Sequence, residues 1–455
     1  MLNGVKAPSQ NPLDNVPLLP KQPEDRTIAS NILLFDLSIQ GHHPTYIRYL
    51  IQDWRLHATS QSLYIVVSPQ FLEHHVDVVD LAAADESIHF VAIASESAAQ
   101  LKPRNSAWNR MIRAFQEWQL LCHYAQKLKA SHGLVLYFDT CQIPFVYGQK
   151  PPCPISGIYF KPSFHYPQFT LERVSKSSST VVPARLTWQE RGQHWREKLL
   201  LKQVLQRSQL HTLFSLDPFV RSFMNSIYTR NSQIATGKMV DLADPVQITA
   251  GSEADIHSLR QRLAIAPGRQ VFLLFGALNG RKGVYQLLDA IALLPPHLSE
   301  KICLLLVGQA NPQNQVKIQN QIEKLRQSSA VQIITHPVYI PESEVPLYFQ
   351  LTDIVLAPYP KHVGMSGILI WAAAAQKPVL SSSYGLMGEL VRRYRLGLTV
   401  NAMEPEAIAQ GLVQFLQADD EIGDRHLMQI FAIQNSVAQF TQTIFQRILS
   451  PESPL

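Results

Sequence analysis

"VFLLFGALNGRKGVYQLLDAI" (residues 271–291) joins an unbroken apolar run to a helical pattern through a short loop carrying Gly280, Arg281, Lys282 and Gly283. A short continuous apolar run bounded by turn residues predicts a strand buried on both faces, as in parallel sheets. A strand that feeds a helix through a tight loop is half of a βαβ unit. Such a loop needs glycine, but it has no structural need for two adjacent cations. Ligands of open parallel sheets bind beyond the carboxyl ends of the strands, so the loop reads as a site for a negatively charged group. Lys282 offers a point charge, Arg281 a planar fork for two oxygens, and Gly280 and Gly283 close backbone approach.

The same rhythm runs to the carboxyl end. Apolar runs at 271–278, 301–308, 331–337, 353–359, 378–383 and 397–400 alternate with helical patterns at 283–294, 313–328, 342–351, 367–376 and 386–395. Six runs at this spacing predict a doubly wound α/β domain over 246–423. Two further loops point the same way. Ser366 and Gly367 stand directly before a helical pattern, where unpaired N–H groups make a ready anion site. "SSSYGLMGELV" (381–391) adds Gly385, Met387, Gly388 and Glu389.

Upstream, apolar runs at 31–37, 62–68, 88–94, 134–138 and 211–218 alternate with helical stretches, the most regular at 106–130. They predict a second domain over 28–245, built on a parallel sheet covered on both faces. The Pro-rich excursion 150–185 breaks its rhythm, and the long helical stretch 424–449 is expected to pack back on it. The loop "SIQGHHP" (38–44) should face the cation loop across a cleft, with Gly41 for close approach and His42 and His43 as proton-bearing groups. Asp139, at the end of an apolar run, is a further candidate for chemistry.

Composition narrows the class. Of 455 residues, 46% are hydrophobic and 16% charged, enough for sizeable cores and too apolar for wholesale disorder. Residues 1–27, polar and Pro-rich without an apolar core, read as a poorly ordered lead-in to a cytoplasmic chain. Cys122, Cys141, Cys153 and Cys303 form no CxxC pair and read as free thiols. No DxD or HExxH motif occurs, so no metal or cofactor is expected, and nothing suggests nucleic acid. Residues 28–245 carry 21 Lys and Arg against 16 Asp and Glu, whereas 246–455 carry 16 of each. The basic half suggests weak attraction to an anionic acceptor or to the inner face of a membrane, with Trp108, Arg110 and Arg113 as its candidate contacts.

These motifs resemble the nucleotide-sugar glycosyltransferases of the GT-B fold, in particular the large retaining family four (glycosyl transferases group 1). The resemblance covers roughly 30–440 and is strongest at "LLFGALNGRKGVYQLLDAIALLP" and "SGILIWAAAAQKPVLSSSYGLMGELV". It implies two facing Rossmann-like domains and metal-independent transfer of a sugar from a nucleotide diphosphate to a hydroxyl acceptor. By position, Lys282 matches the lysine on the diphosphate, and Ser366 and Gly367 match the loop whose backbone holds phosphates. Glu389 matches an acid near the donor sugar, Val338 and Tyr339 match the wall of the base, and Gly41–His43 match the acceptor loop. Two departures stand out. The family's arginine after the strand glycine falls on Ala277. Its two glutamates, eight residues apart, fall on Val363 and Trp371, and tryptophan accepts no bond from a ribose. Loss of both carboxylates keeps a second reading open, a non-catalytic GT-B protein that binds a nucleotide or glycan as partner or sensor.

Overall fold

The computed structural model describes residues 30–57, 61–167, 169, 187–228, 236–249 and 251–449. The expected lead-in, and most of the excursion after Phe169, lie outside them. Among the described residues thirteen strands form two sheets, every pairing parallel. The first contains β1 (Asn31–Phe35), β2 (Ser62–Val67), β3 (Ile88–Ala92), β4 (Ala130–Val135), β5 (Ile155–Tyr159), β6 (Leu210–Ser215) and β7 (Met239–Asp241). Its order is β3-β2-β1-β4-β5-β6-β7. The second contains β8 (Gln270–Phe275), β9 (Ile302–Val307), β10 (Gln332–His336), β11 (Ile354–Ala357), β12 (Val379–Ser382) and β13 (Gly397–Val400). Its order is β10-β9-β8-β11-β12-β13. Both sheets therefore step outward from a first strand and then reverse, the doubly wound plan.

All six expected strands of the second sheet are present. In the first, β5 and β7 are additions to the five apolar runs. "ISGIY" and "MVD" are short, and β5 carries Ser156 and Gly157, so neither looks like an apolar run although β5 is wholly buried. Gly157 is needed there, because a Cβ would come within 2.5 Å of the Phe138 ring.

Helix starts follow local chemistry. Ser106 caps Ala107–Lys127 by accepting from Asn109 N–H, and Thr187 and Glu190 form a capping box at Trp188–Gln206. Apolar clusters fill both faces of the first sheet and surround the second. The expected single helix at 424–449 is instead two, Arg425–Gln434 and Val437–Ile448. The break at Asn435 and Ser436 is where the chain changes domain. Met428 and Phe431 pack in the core of the second sheet, while Phe440, Ile444 and Phe445 pack under the first. The outgoing crossing meets this return: Val246 N–H donates to Asn435 O at 3.1 Å and Asp244 N–H to Asn435 Oδ1 at 3.2 Å.

Candidate functional site

The two sheets face each other across a cleft, and the loop after β8 forms part of the second domain's wall. Gly276 adopts φ +104° and Gly283 φ +74°, both left-handed, and a Cβ on Gly283 would lie 2.0 Å from Pro358 O. These glycines let the cation loop fold flat onto the ends of β8 and β11. Asn279 accepts from Lys282 N–H and fixes the turn Gly280–Lys282. As a result Lys282 is buried, its Nζ against Gly276 and donating to Tyr359 Oη at 2.6 Å. The neighbouring strands β8 and β11 are where the strand order reverses, so the ammonium lies at the switch point. Burial, with the Arg281 guanidinium beside it, pulls the Lys282 ammonium down to about 7. Its oxygen partner is a hydroxyl, and among the described residues no carboxylate pairs with it.

Arg281, the adjacent cation, turns the other way and lines a cavity of about 360 Å³ between the domains. The first domain supplies the opposite wall from the loop after β1. Gly41, at φ +74°, turns the chain into a helix starting at His43. His43 Nδ1 is 2.5 Å from Asp36 Oδ2, which orients the ring and leaves Nε2 as its remaining nitrogen. His42 is exposed and stacks over Tyr46, whose hydroxyl donates to the buried Asp244 at 2.5 Å. Glu117 also lines the cavity and is gripped by Arg104 at 3.1 Å and Arg113 at 2.6 Å. On the far side of Gln40 and Gly41, a broader cleft of about 1450 Å³ reaches Ala277, Gln309, Tyr339 and Glu342.

The roof comes from the loop after β11. Ser366 is buried at the start of the helix Gly367–Ala374 and makes no side-chain cap, so capping does not explain it; it is in hydrogen-bonding contact with Tyr359. Lys282, Tyr359 and Ser366 thus form one chain of polar groups. His362, in the same loop, is half-buried and held down to about 4, chiefly by desolvation, with Lys282, Arg281 and Lys161 nearby. Gly364 N–H donates to Tyr166 Oη at 2.9 Å, a contact from the first domain to the second. A second such tie joins the Tyr49 hydroxyl to Glu342.

Several expected site residues are used otherwise. Asp139 accepts from the amides of Phe160 and Lys161, both at 2.9 Å, so it anchors the exit of β5 rather than facing a substrate. Burial raises its carboxyl to about 6 against those bonds. Burial also pushes Glu389 up, but bonds from Arg393 at 2.6 Å and Arg392 at 3.0 Å outweigh it, and the carboxyl is lowered. Its charge is therefore engaged by its own helix. Met387 is fully buried in the core, Gly388 abuts Ser383 O, and Gly385 abuts the Tyr166 ring. Their small or apolar character serves packing. Tyr339 is exposed and lines the broad cleft, whereas Val338 is merely exposed beside it. Trp371 is half-buried and stacks on Phe349, ring centroids 6.0 Å apart. The sequence reading missed Asp36, although it ends an apolar run just as Asp139 does. It also missed Tyr359 and Tyr166, whose roles depend on partners 77 and 198 residues away.

Comparison with known proteins agrees with this fold. Residues 255–429 match the family model described as glycosyl transferases group 1. The D-inositol 3-phosphate glycosyltransferase of Corynebacterium urealyticum is 27% identical over 183 residues, which span 39% of this chain and 42% of that protein. A glycosyltransferase from Rickettsia africae superposes with a TM-score of 0.60 at 12% identity, covering 93% of this chain and all of that one. Anabaena HepE, solved with UDP and glucose, gives 0.59 at 15% identity, with 93% of this chain and all of that one covered. The chain thus has the two-domain GT-B fold, and its residues 255–429 are similar to the glycosyl transferases group 1 domain.

Proposed function

We propose that the protein is a glycosyltransferase that moves a sugar from a nucleotide-diphosphate donor to a hydroxyl acceptor. The observation that carries this reading is Lys282: a buried ammonium at the switch point, without a carboxylate partner among the described residues, beside Arg281 at the cleft. An uncompensated buried cation is costly unless an anion is to be bound there. The UDP held by Anabaena HepE supports a diphosphate as that anion. As the acceptor oxygen bonds to the anomeric carbon, the bond to the diphosphate oxygen breaks. Arg281, Lys282 and the helix start at Gly367 then stabilise the departing charge without a metal ion. The acceptor proton passes to the leaving phosphate, with His43, oriented by Asp36, holding the hydroxyl. Same-face attack, hence retention, follows from the resemblance to family four.

A panel of nucleotide sugars tests the proposal, with both binding and nucleoside diphosphate release measured, in the presence and absence of EDTA. Turnover of at least one donor, unchanged by the chelator, is expected. Binding without turnover would favour the second reading, a non-catalytic binder. That reading draws on Val363 and Trp371, which replace the family's two carboxylates; the Trp371 ring is taken up by its stack on Phe349.

We also propose weak attachment to anionic membranes through the start of the helix Ala107–Lys127, where Trp108 is 73% exposed beside the exposed Arg110. Arg113, paired with Glu117, contributes little. Among the described residues no helix is long and apolar enough to cross a membrane. Co-sedimentation with anionic but not neutral vesicles, lost at high salt, is the expected result.

A further inference from the structure

A third concavity, of about 1170 Å³, is lined by the first domain together with Val363 of the second. One bank is the helix Trp188–Gln206, from which Trp188 and Trp195 project 86% and 64% exposed. Two large exposed rings along one groove, unlike scattered single ones, mark a candidate interaction surface. They lie seven residues apart on one helix face, roughly 10.5 Å along its axis, the span of a disaccharide. The Trp188 ring is steadied by the Arg191 guanidinium, 5.5 Å from its centroid. Between and opposite the indoles lie side-chain amides, Gln189, Gln193 and Gln203, and the exposed Tyr147, whose hydroxyl donates to Gln203 at 2.6 Å.

The floor leads to the cleft. Lys161 and Val363 line both this groove and the interdomain cavity that holds Arg281 and His43. The segment between the two is fixed from below by two carboxylates. Asp139 accepts from the Phe160 and Lys161 amides, and Glu197 accepts from Ser163 N–H, Ser163 Oγ and Tyr159 Oη at 2.8–2.9 Å. These carboxylates, unused by the proposed chemistry, hold the junction between groove and cleft in place.

We infer that this groove binds an extended carbohydrate acceptor, an oligosaccharide whose end passes Lys161 and Val363 to present its hydroxyl at His43. The inference rests on the transferase reading and names its acceptor class. Flat indole faces stack on the C–H faces of sugar rings, and amide side chains pair with hydroxyls as both donors and acceptors. A lipid surface fits less well: the site is concave, and amides gain nothing from acyl chains.

The test uses the full chain and maltohexaose, cellohexaose and chitohexaose as probes, with intrinsic tryptophan fluorescence and calorimetry as readouts. At least one hexasaccharide is expected to bind saturably, with a weakening of roughly three- to tenfold in Trp188→Ala and in Trp195→Ala and a larger loss in the double variant. Melting curves confirm folding, which changes at two exposed positions should leave intact. No binding of any probe, or equal binding by the double variant, overturns the proposal. So does a loss of phosphatidylglycerol-vesicle binding in the double variant without a loss of saccharide binding. Binding of uridine diphosphate, measured on the same preparations, reports on the donor reading alone, so failure of one is separable from failure of the other.

Discussion

The two domains share a strand order but load their cleft loops differently, and the difference runs against their overall charge. The first domain is the basic one by composition, yet it brings three carboxylates, Asp36, Asp244 and Glu117, to the interdomain cavity against two cations, Arg104 and Lys161. The second is balanced, yet its contribution there includes Arg281 and no carboxylate, with Lys282 buried just behind. Net charge summed over a domain describes long-range attraction; the chemistry of a site is set by the few groups that low dielectric surroundings amplify. In the proposed reaction one wall of the cleft accepts negative charge and the other orients a hydroxyl.

The largest effect expected from breaking this contrast is at Lys282. Lys282→Ala should lower transfer by about ten- to a hundredfold or more, since a charge-assisted bond to a desolvated phosphate contributes roughly 1.5–3 kcal/mol. Because the folded protein is relieved of a buried cation, its Tm should not fall. Near-native turnover in this variant would remove the diphosphate assignment.

On the opposite wall, Asp36→Asn should lower turnover by about tenfold while leaving uridine diphosphate affinity unchanged. An equal loss of nucleotide affinity would show that Asp36 shapes the donor side instead.

Next is pH. The Lys282 ammonium titrates near 7 in the free protein, and a bound diphosphate would hold it charged, so binding takes up a proton at higher pH. Nucleotide affinity should therefore fall as pH rises from about 7, by up to tenfold per unit, and the slope should vanish in Lys282→Ala. Stability should run the other way. The unfolded chain, with its lysine at the ordinary 10.5, binds more protons across the window from about 7 to 10.5, so this group's contribution to stability increases with pH there. Calorimetry in buffers of different ionisation enthalpy checks the proton uptake.

The smallest effect on the ligand is expected at Trp371. Trp371→Glu places a carboxylate where the family carries one, but it also removes the ring stacked on Phe349. The expected outcome is a loss of roughly 3 kcal/mol or more of stability without tighter donor binding. A lower donor Kd at unchanged Tm would show a ribose site that merely lacks its ligand.

The sequence by itself determined the strands of the second domain, because the central ones, β8, β9, β11 and β12, are largely buried on both faces and so are nearly continuous apolar runs. It also located the cation loop and the Gly41–His43 loop, since strand ends followed by glycine are local signals. What it left open was decided by long-range contact. β5 and β7 are too short or too glycine-bearing to announce themselves and are strands only because neighbours pair with them. Asp36 and Asp139 look alike in sequence, each an acid at the end of an apolar run. One faces the cavity beside His43, and the other is engaged by the amides of Phe160 and Lys161, some twenty residues away. Glu389 matched by position, but arginines one turn along its helix claim its charge. A side chain's type is written in the sequence. Whether it meets solvent, a ligand or a backbone amide depends on which distant segment folds against it, and only the tertiary structure supplies that partner.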